Sequence, residues 1–224
     1  HPECGPCSYA FLRGDPHKDN LLSVDPFKIE KQNFTAVSFS VEYGKQKYSS
    51  NNPDHCDNHP TSQAEIESIM AHAIRSTTSD HMSFLIFAHW RHVHLAYAAV
   101  EKTCGPNSCE NFIWAKANPQ LHLGPCVPND TEVAAVGYWS SKKNEDKPQA
   151  CLKGYAKDER RSRVCFRGSV LHKYKIVVNN ESVALNATQA NAAVEWEWLR
   201  HRTVPGEWVL APCSGTGTTA KAAL

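Results

Sequence analysis

Short apolar runs alternate with helix-patterned segments along this chain, and this alternation is its strongest constraint on the fold. FTAVSFSVEYG (residues 34–44) is rich in β-branched and aromatic residues, and MSFLIFAHW (82–90) is almost continuously apolar, as in a strand buried on both faces. Between them, SQAEIESIMAHAIRST (62–77) has apolar residues at helical spacing, after a capping box of Ser62 and Glu65. Since strand–helix–strand units place their strands in parallel, we predict an α/β fold with a mainly parallel sheet flanked by helices.

The same pattern continues along the rest of the chain. The further predicted strands are 8–15, 111–116, 132–139 and 206–212, and the further predicted helices are 91–103 and 191–203. Residues 140–175 break the pattern, because they are polar and become strongly basic in their second half. We interpret this stretch as an insertion or a small subdomain.

The composition of the chain bears on its ligands and on its cellular compartment. The 224 residues carry a net charge of +1, so a case for nucleic-acid binding must rest on local patches. We find no apolar run of the ~20 residues that a membrane span needs, and therefore predict no membrane association. Nine cysteines, an odd number in a chain too long to need disulfides, favour reduced thiols in an intracellular compartment. The mitochondrion and the nucleus both remain open, since the chain begins with His1 and a transit peptide could precede it.

The closing stretch VLAPCSGTGTTAKAAL (209–224) combines a strand, a glycine-containing turn and the start of a helix. Glycines allow a ligand to approach the backbone closely, and amides at a helix start can face its polar groups. It is not a P-loop, because no Lys precedes Thr218 and Thr219, and it lacks the GxGxxG of dinucleotide sites. Taken alone, a plain strand–turn–helix explains it equally well.

The order of the neighbouring motifs adds a family resemblance. Thr188-Gln189, a Pro205-Gly206 turn and the loop from Pro212 to Thr219 follow one another as in the DNA amino-methyltransferases that methylate adenine N6 or cytosine N4. The resemblance extends over residues 12–224 and implies a Rossmann-like S-adenosylmethionine-dependent methyltransferase fold. In several members of this family the cofactor loop follows the catalytic half. The cofactor-binding residues implied are Thr188, Gln189, Pro212, Gly215, Gly217, Thr218 and Thr219.

Ser40-Val41-Glu42-Tyr43 stands where this family has its catalytic tetrapeptide. The resemblance implies that Ser40 and the Val41 carbonyl accept hydrogen bonds from the target amine, while Tyr43 stacks on a flipped base. Both prolines of the family motif are replaced, and they would stiffen that loop. A simple strand end remains the alternative interpretation.

The cofactor motifs also depart from the family. Ala211 replaces an Asp and Cys213 a Phe of the cofactor loop, and Ala190 replaces a Lys after Thr188-Gln189. The acidic residue for the ribose hydroxyls would come on a strand beyond Leu224. These replacements affect both halves of one site, and we therefore favour a degenerate relative of the family.

The resemblance places target recognition in residues 140–175. Basic residues can bind phosphates, and the interleaved Phe166 and Tyr174 can stack on bases, whereas a solvated surface loop is the alternative. The predicted nucleic-acid contacts are Arg160, Arg161, Arg163, Arg167, Lys173, Lys175 and, from the predicted strand 111–116, Lys116.

The cysteine pairs Cys4/Cys7 and Cys104/Cys109 could together hold zinc, although the wider spacing of the second pair disfavours this. A redox role for CGPC is disfavoured too, because no strand precedes it. We predict that no metal is bound.

The prediction from the sequence is therefore a degenerate methyltransferase-like protein. It would bind DNA or RNA, or be a structural subunit of a larger assembly such as a ribonucleoprotein, possess little or no catalysis, and use no cofactor. The alternative is an active enzyme that uses S-adenosylmethionine on adenine N6 or cytosine N4. The chain would comprise a catalytic half (1–139), the basic insertion (140–175) and a cofactor-loop half (176–224).

Overall fold

The structure is a computed structural model of the chain. It describes residues 9–12, 21–23, 31–41, 61–117, 131–143, 146–153, 165–168, 175–178, 181–184, 192–212 and 218–223.

The described residues include the predicted strands and helices in the predicted order, together with short elements at 21–23, 147–150, 165–168, 175–178 and 181–184 that were not predicted. The strands are β1 (Tyr9–Leu12), β2 (Leu21–Ser23), β3 (Phe34–Ser40), β4 (His81–Ala88), β5 (Cys109–Lys116), β6 (Thr131–Ser140), β7 (Cys165–Gly168), β8 (Lys175–Val178), β9 (Glu181–Ala184) and β10 (Trp208–Ala211). The helices are α1 (Gln63–Ser76), α2 (Val93–Cys104), α3 (Lys147–Ala150), α4 (Ala192–Arg202) and α5 (Thr218–Ala223).

Eight of these strands form one mixed sheet in the order β2-β1-β10-β3-β4-β6-β5-β7. Strands β10, β3 and β4 are mutually parallel, and β7 is parallel to β5. Only β1 and β6 run against the other strands of this sheet, which confirms the prediction of a mainly parallel sheet. The basic stretch is partly integrated into the sheet, because β7 extends its edge, while β8 and β9 form a separate antiparallel pair.

Helices cover both faces of the sheet. Helices α1 and α2 pack with Phe84, Ile86 and Leu210 in one apolar cluster, and α4 and α5 pack with Leu85, Trp114 and other side chains in a second cluster on the opposite face. The nearly continuous apolar sequence of β4 follows from this, because its alternate side chains enter the two clusters. None of the helices among the described residues is long and apolar enough to cross a membrane.

The capping box predicted for α1 is present. The Ser62 hydroxyl accepts a hydrogen bond from the Glu65 backbone N–H, and the Glu65 carboxylate accepts one from the Ser62 backbone N–H at 2.7 Å. These bonds satisfy amides that have no partner within the helix.

Replacing Ser62 with Ala should therefore lower the free energy of unfolding by about 1 kcal/mol, since the cap on the Glu65 amide is lost. Urea denaturation followed by circular dichroism measures this. Ser68→Ala is the matched control, because it removes a hydroxyl from an exposed position inside the same helix and should change stability by only a few tenths of a kcal/mol. Equal losses in the two variants would contradict the capping role.

Candidate functional site

The carboxyl ends of the parallel strands meet at one edge of the sheet, which we call the carboxyl edge. Strands β10, β3 and β4 end there at Ala211, Ser40 and Ala88. Strand β5 ends at Lys116 on the same edge, because the intervening β6 is antiparallel to both β4 and β5. Open α/β sheets bind ligands at this edge, so the predicted catalytic strand and cofactor loop begin in a suitable place.

Ser40 is the last residue of β3 and is exposed at the carboxyl edge. By strand alternation it points to the same face as Ala36, which packs in the α4–α5 cluster. The following residue, Val41, is buried on the other face, and its N–H donates to the carbonyl of Phe87 at 2.9 Å. The exit of the chain from β3 is therefore anchored to β4. Tyr43, the third predicted catalytic residue, lies outside the described residues.

The two ends of the predicted cofactor loop are packed into the protein. Pro212, directly after β10, is buried, and so are Thr218 and Thr219 at the start of α5. Helix α5 contacts α4 and β10, which ties the loop to the sheet. The other four predicted cofactor residues, Thr188, Gln189, Gly215 and Gly217, lie outside the described residues.

Glu195 is a buried carboxyl group that the sequence reasoning missed. It lies on α4, and its carboxylate accepts hydrogen bonds from the hydroxyls of Ser38 on β3, at 2.9 Å, and Thr219 on α5. Its burial raises its pKa, which the two hydroxyl bonds oppose. The signal available in the sequence was an acidic residue inside an otherwise apolar and aromatic helix, VEWEWL, but such a residue could equally face solvent.

Next to Ser40, the carboxyl edge carries aromatic and basic side chains. Arg91 lies 5.0 Å from the ring centroid of Trp90, and the rings of His89 and Trp90 are 5.5 Å apart. Burial lowers the pKa of His89, and the charges of Arg91, His92 and Lys116 lower it further. The electrostatic environment of His89 is therefore positive, with Glu132 as the opposing charge.

The predicted nucleic-acid residues are only partly described. Lys116 is half-buried, pairs with Glu132 at 2.7 Å and lies near the ring of Trp114. Arg167 is exposed on β7, where it pairs with Ala115, one residue before Lys116. Lys175 begins β8, in the separate two-stranded sheet. The remaining predicted contacts, Arg160, Arg161, Arg163 and Lys173, lie outside the described residues.

No protein-family profile matches the chain, and no curated protein matches it. Solved structures do. The complex of M1.HpyAVI with SAM superposes with a TM-score of 0.54 at 17% identity, over 86% of this chain and 77% of that one. A Thermus thermophilus protein assigned as a DNA modification methylase has a TM-score of 0.49 at 15% identity, over 88% of this chain and 78% of that one. The chain has a methyltransferase fold.

Glu195 also lies near the end of β10, the strand that leads into the loop at 212–219. In the resembled family the strand before the cofactor loop ends in an Asp, and here that position is Ala211, which is fully buried in the α4–α5 cluster. The register pairs Leu210 with Val37, so the next pair brings Ala211 beside Ser38, the partner of Glu195. A carboxyl group is thus present next to this end of the methyltransferase sheet, but a helix supplies it.

The cysteines of the disfavoured zinc site are only half described. Cys4 and Cys7 lie outside the described residues. Burial raises the pKa of Cys104 to about 12 and that of Cys109 to about 11, so neither is a thiolate at neutral pH. Within the part of the chain that the structure describes, no three His, Cys, Asp or Glu side chains are grouped so as to hold a metal ion.

Replacing Glu195 with Gln should make the free energy of unfolding fall less as the pH rises. Because the folded-state pKa is raised, the contribution of Glu195 to the free energy of unfolding is complete below its unfolded-state pKa, near 4.5. This contribution is lost as the pH rises through the folded-state pKa. Gln keeps a neutral side chain at every pH. The free energy of unfolding of Glu195→Gln relative to wild type should therefore increase above pH 4.5. The increase should be about 1.4 kcal/mol for each pH unit by which the folded-state pKa of Glu195 exceeds its unfolded-state pKa.

Urea unfolding at intervals from pH 4 to pH 8 measures this difference. Glu101→Gln is the matched control, because it makes the same substitution at an exposed position on α2. A relative stability of Glu195→Gln that stays constant or falls with pH would show that the buried carboxyl does not titrate as inferred.

Proposed function

We propose that this chain is a nucleic-acid-binding protein built on a methyltransferase fold, with its binding surface at the carboxyl edge and little or no catalysis. Such a protein would act in a larger assembly, of which a ribonucleoprotein is one form. The observation that carries the proposal is the presence of Arg91, Lys116 and Arg167 at or next to this edge. Arg91 follows β4, the neighbour of the strand that ends at the exposed Ser40, whereas Lys116 and Arg167 lie on β5 and β7, three and four strands from β3.

Charge and position support nucleic acid as the ligand. With a net charge of only +1, the chain has no global attraction for a polyanion, so local cations must supply it. Strand β7 places the exposed Arg167 next to the end of β5. The motif order of the chain also resembles that of enzymes that act on DNA, which agrees with a nucleic-acid ligand.

Reduced catalysis is inferred from the residues at the reacting centre. Ala211 packs in an apolar cluster where the resembled family has an Asp, and the tetrapeptide at Ser40 lacks both prolines. Without the prolines the carbonyl of Val41 is less firmly directed toward an amine. Proximity supplies most of the rate in methyl transfer, so a loosened acceptor site reduces the rate strongly.

An active methyltransferase is the second candidate, and Glu195 is the observation that favours it. S-adenosylmethionine is a sulfonium that also carries an ammonium group, and it supplies an electrophilic methyl group when bound. A carboxyl group near the cofactor loop suits such a cation, and Glu195 provides one beside Thr219. The residues that would hold the cofactor are those of the loop at 212–219 and Thr188-Gln189. Ser40 would accept a hydrogen bond from the target amine.

Two titrations separate the candidates. Calorimetry with S-adenosylmethionine tests the cofactor site, and anisotropy of fluorescein-labelled DNA and RNA oligonucleotides tests the nucleic-acid site. The proposal expects salt-dependent oligonucleotide binding without methyl transfer from radiolabelled S-adenosylmethionine. Micromolar cofactor binding with methyl transfer would replace it by the second candidate, and absence of oligonucleotide binding would overturn it.

Replacing Arg167 with Ala should weaken oligonucleotide binding similarly for different sequences, because a phosphate contact is lost. The slope of log K against log salt concentration should become shallower by roughly one. Anisotropy titrations between about 50 and about 200 mM salt give this slope.

Lys102→Ala is the matched control for the loss of one cation. Lys102 is exposed in the last turn of α2, at the end of that helix remote from Arg91, and pairs with Glu67. Its removal should leave the salt slope unchanged. Equal slopes for the Arg167 and Lys102 variants would exclude Arg167 from the phosphate contacts.

A further inference from the structure

Trp90 is an unusual residue to find at the surface. Its side chain is 60% exposed, and among the described residues only Trp196, at 48%, is a comparably exposed large apolar side chain. Trp90 lies two residues beyond the end of β4. Strand β4 is the immediate parallel neighbour of β3, in a register that pairs Phe87 with Ser40. The indole therefore lies at the carboxyl edge, just beyond the end of the strand next to the predicted base site.

The surroundings of Trp90 are cationic rather than apolar. Arg91 lies over the ring at 5.0 Å, and His89, which packs against the same ring, sits in the field of Arg91, His92 and Lys116. An apolar protein surface would find few partners in this setting. A nucleotide matches both the indole of Trp90 and the guanidinium of Arg91. Its flat base can stack on the indole while its phosphate contacts the guanidinium.

We propose that Trp90 and Arg91 form a stacking site for one unpaired base of a nucleic-acid strand, with Arg91 on the neighbouring phosphate. This deepens the proposed function and rests on it, since it names the kind of strand and the side chains that hold it. The exposed 60% of Trp90 leaves surface for a base despite the contacts with Arg91 and His89. The site would grip a single-stranded or locally opened segment next to Ser40.

The test compares Trp90→Ala with Trp196→Ala. Trp196 is a matched control, because it is also exposed and also carries an arginine, Arg200, at 5.4 Å from its ring, but it lies on α4. The probes are a short fluorescein-labelled single strand and the same strand with abasic sites, which keeps the phosphates and lacks the bases. Circular dichroism melting checks that each variant is folded.

Trp90→Ala should weaken binding of the normal strand about 5- to 100-fold, as the loss of one stacked base does. It should leave the affinity for the abasic strand nearly unchanged, and Trp90→Phe should keep most of the affinity. Trp196→Ala should bind both strands like wild type. Arg91→Ala should weaken both strands alike, since its contact is to a phosphate.

Several results would overturn the inference. Equal affinities of the Trp90 and Trp196 alanine variants for the normal strand would remove the stacking site while leaving the proposed function intact. Wild-type protein that binds no strand would overturn both. A change of oligomeric state in Trp90→Ala, seen by analytical ultracentrifugation without a loss of oligonucleotide affinity, would assign the indole to a protein interface instead.

Discussion

The pairing of β3 between β10 and β4 is the constraint on which the rest of the structure depends. Three parallel strands buried under helices on both faces must end together, and their ends bring Ala211, Ser40 and Ala88 to one edge. The bond from the Val41 N–H to the Phe87 carbonyl continues this pairing beyond the last residue of β3. Among the described residues, Ser40, Lys116 and Pro212 lie at or directly after strand ends on that edge, although they come from distant parts of the sequence.

Local patterns in the sequence predicted the elements well, because each of these patterns has a local cause. The capping box of α1 depends on two residues that are three positions apart. The continuous apolar sequence of β4 indicates a strand that is buried on both faces. The order of the strands has no such local signal. That β6 lies antiparallel between β4 and β5, and that β7 extends the sheet beyond β5, depends on long-range packing.

Sequence reasoning proposes site residues where a motif is contiguous, and it misses a group such as Glu195 whose partners come from separate elements. Ser40 and the loop at 212–219 are proposed because they stand in motif order, and of these residues Ser40 and Pro212 lie at one edge of the sheet. Glu195 was missed because its meaning comes from Ser38 and Thr219, which are 157 and 24 residues away along the chain (195 − 38 and 219 − 195). When the motifs are compared position by position, Ala211 stands where the resembled family has an Asp. The fold shows in addition that helix α4 places the carboxyl group of Glu195 in the same region.

In the proposed function, binding and catalysis at this edge depend on different kinds of residue, so that the loss of one does not entail the loss of the other. The cations and Trp90 stand at the ends of strands whose positions are determined by the two apolar clusters, so the packing that stabilises the fold also maintains the surface. In the resembled family methyl transfer depends instead on a few further side chains, such as the two prolines that Val41 and Glu42 replace here. Val41 removes the stiffening that a proline would give and at the same time packs in the α1–α2 cluster, so the core stays filled. The proposed function therefore requires the basic, aromatic edge that this packing maintains, and it does not require turnover.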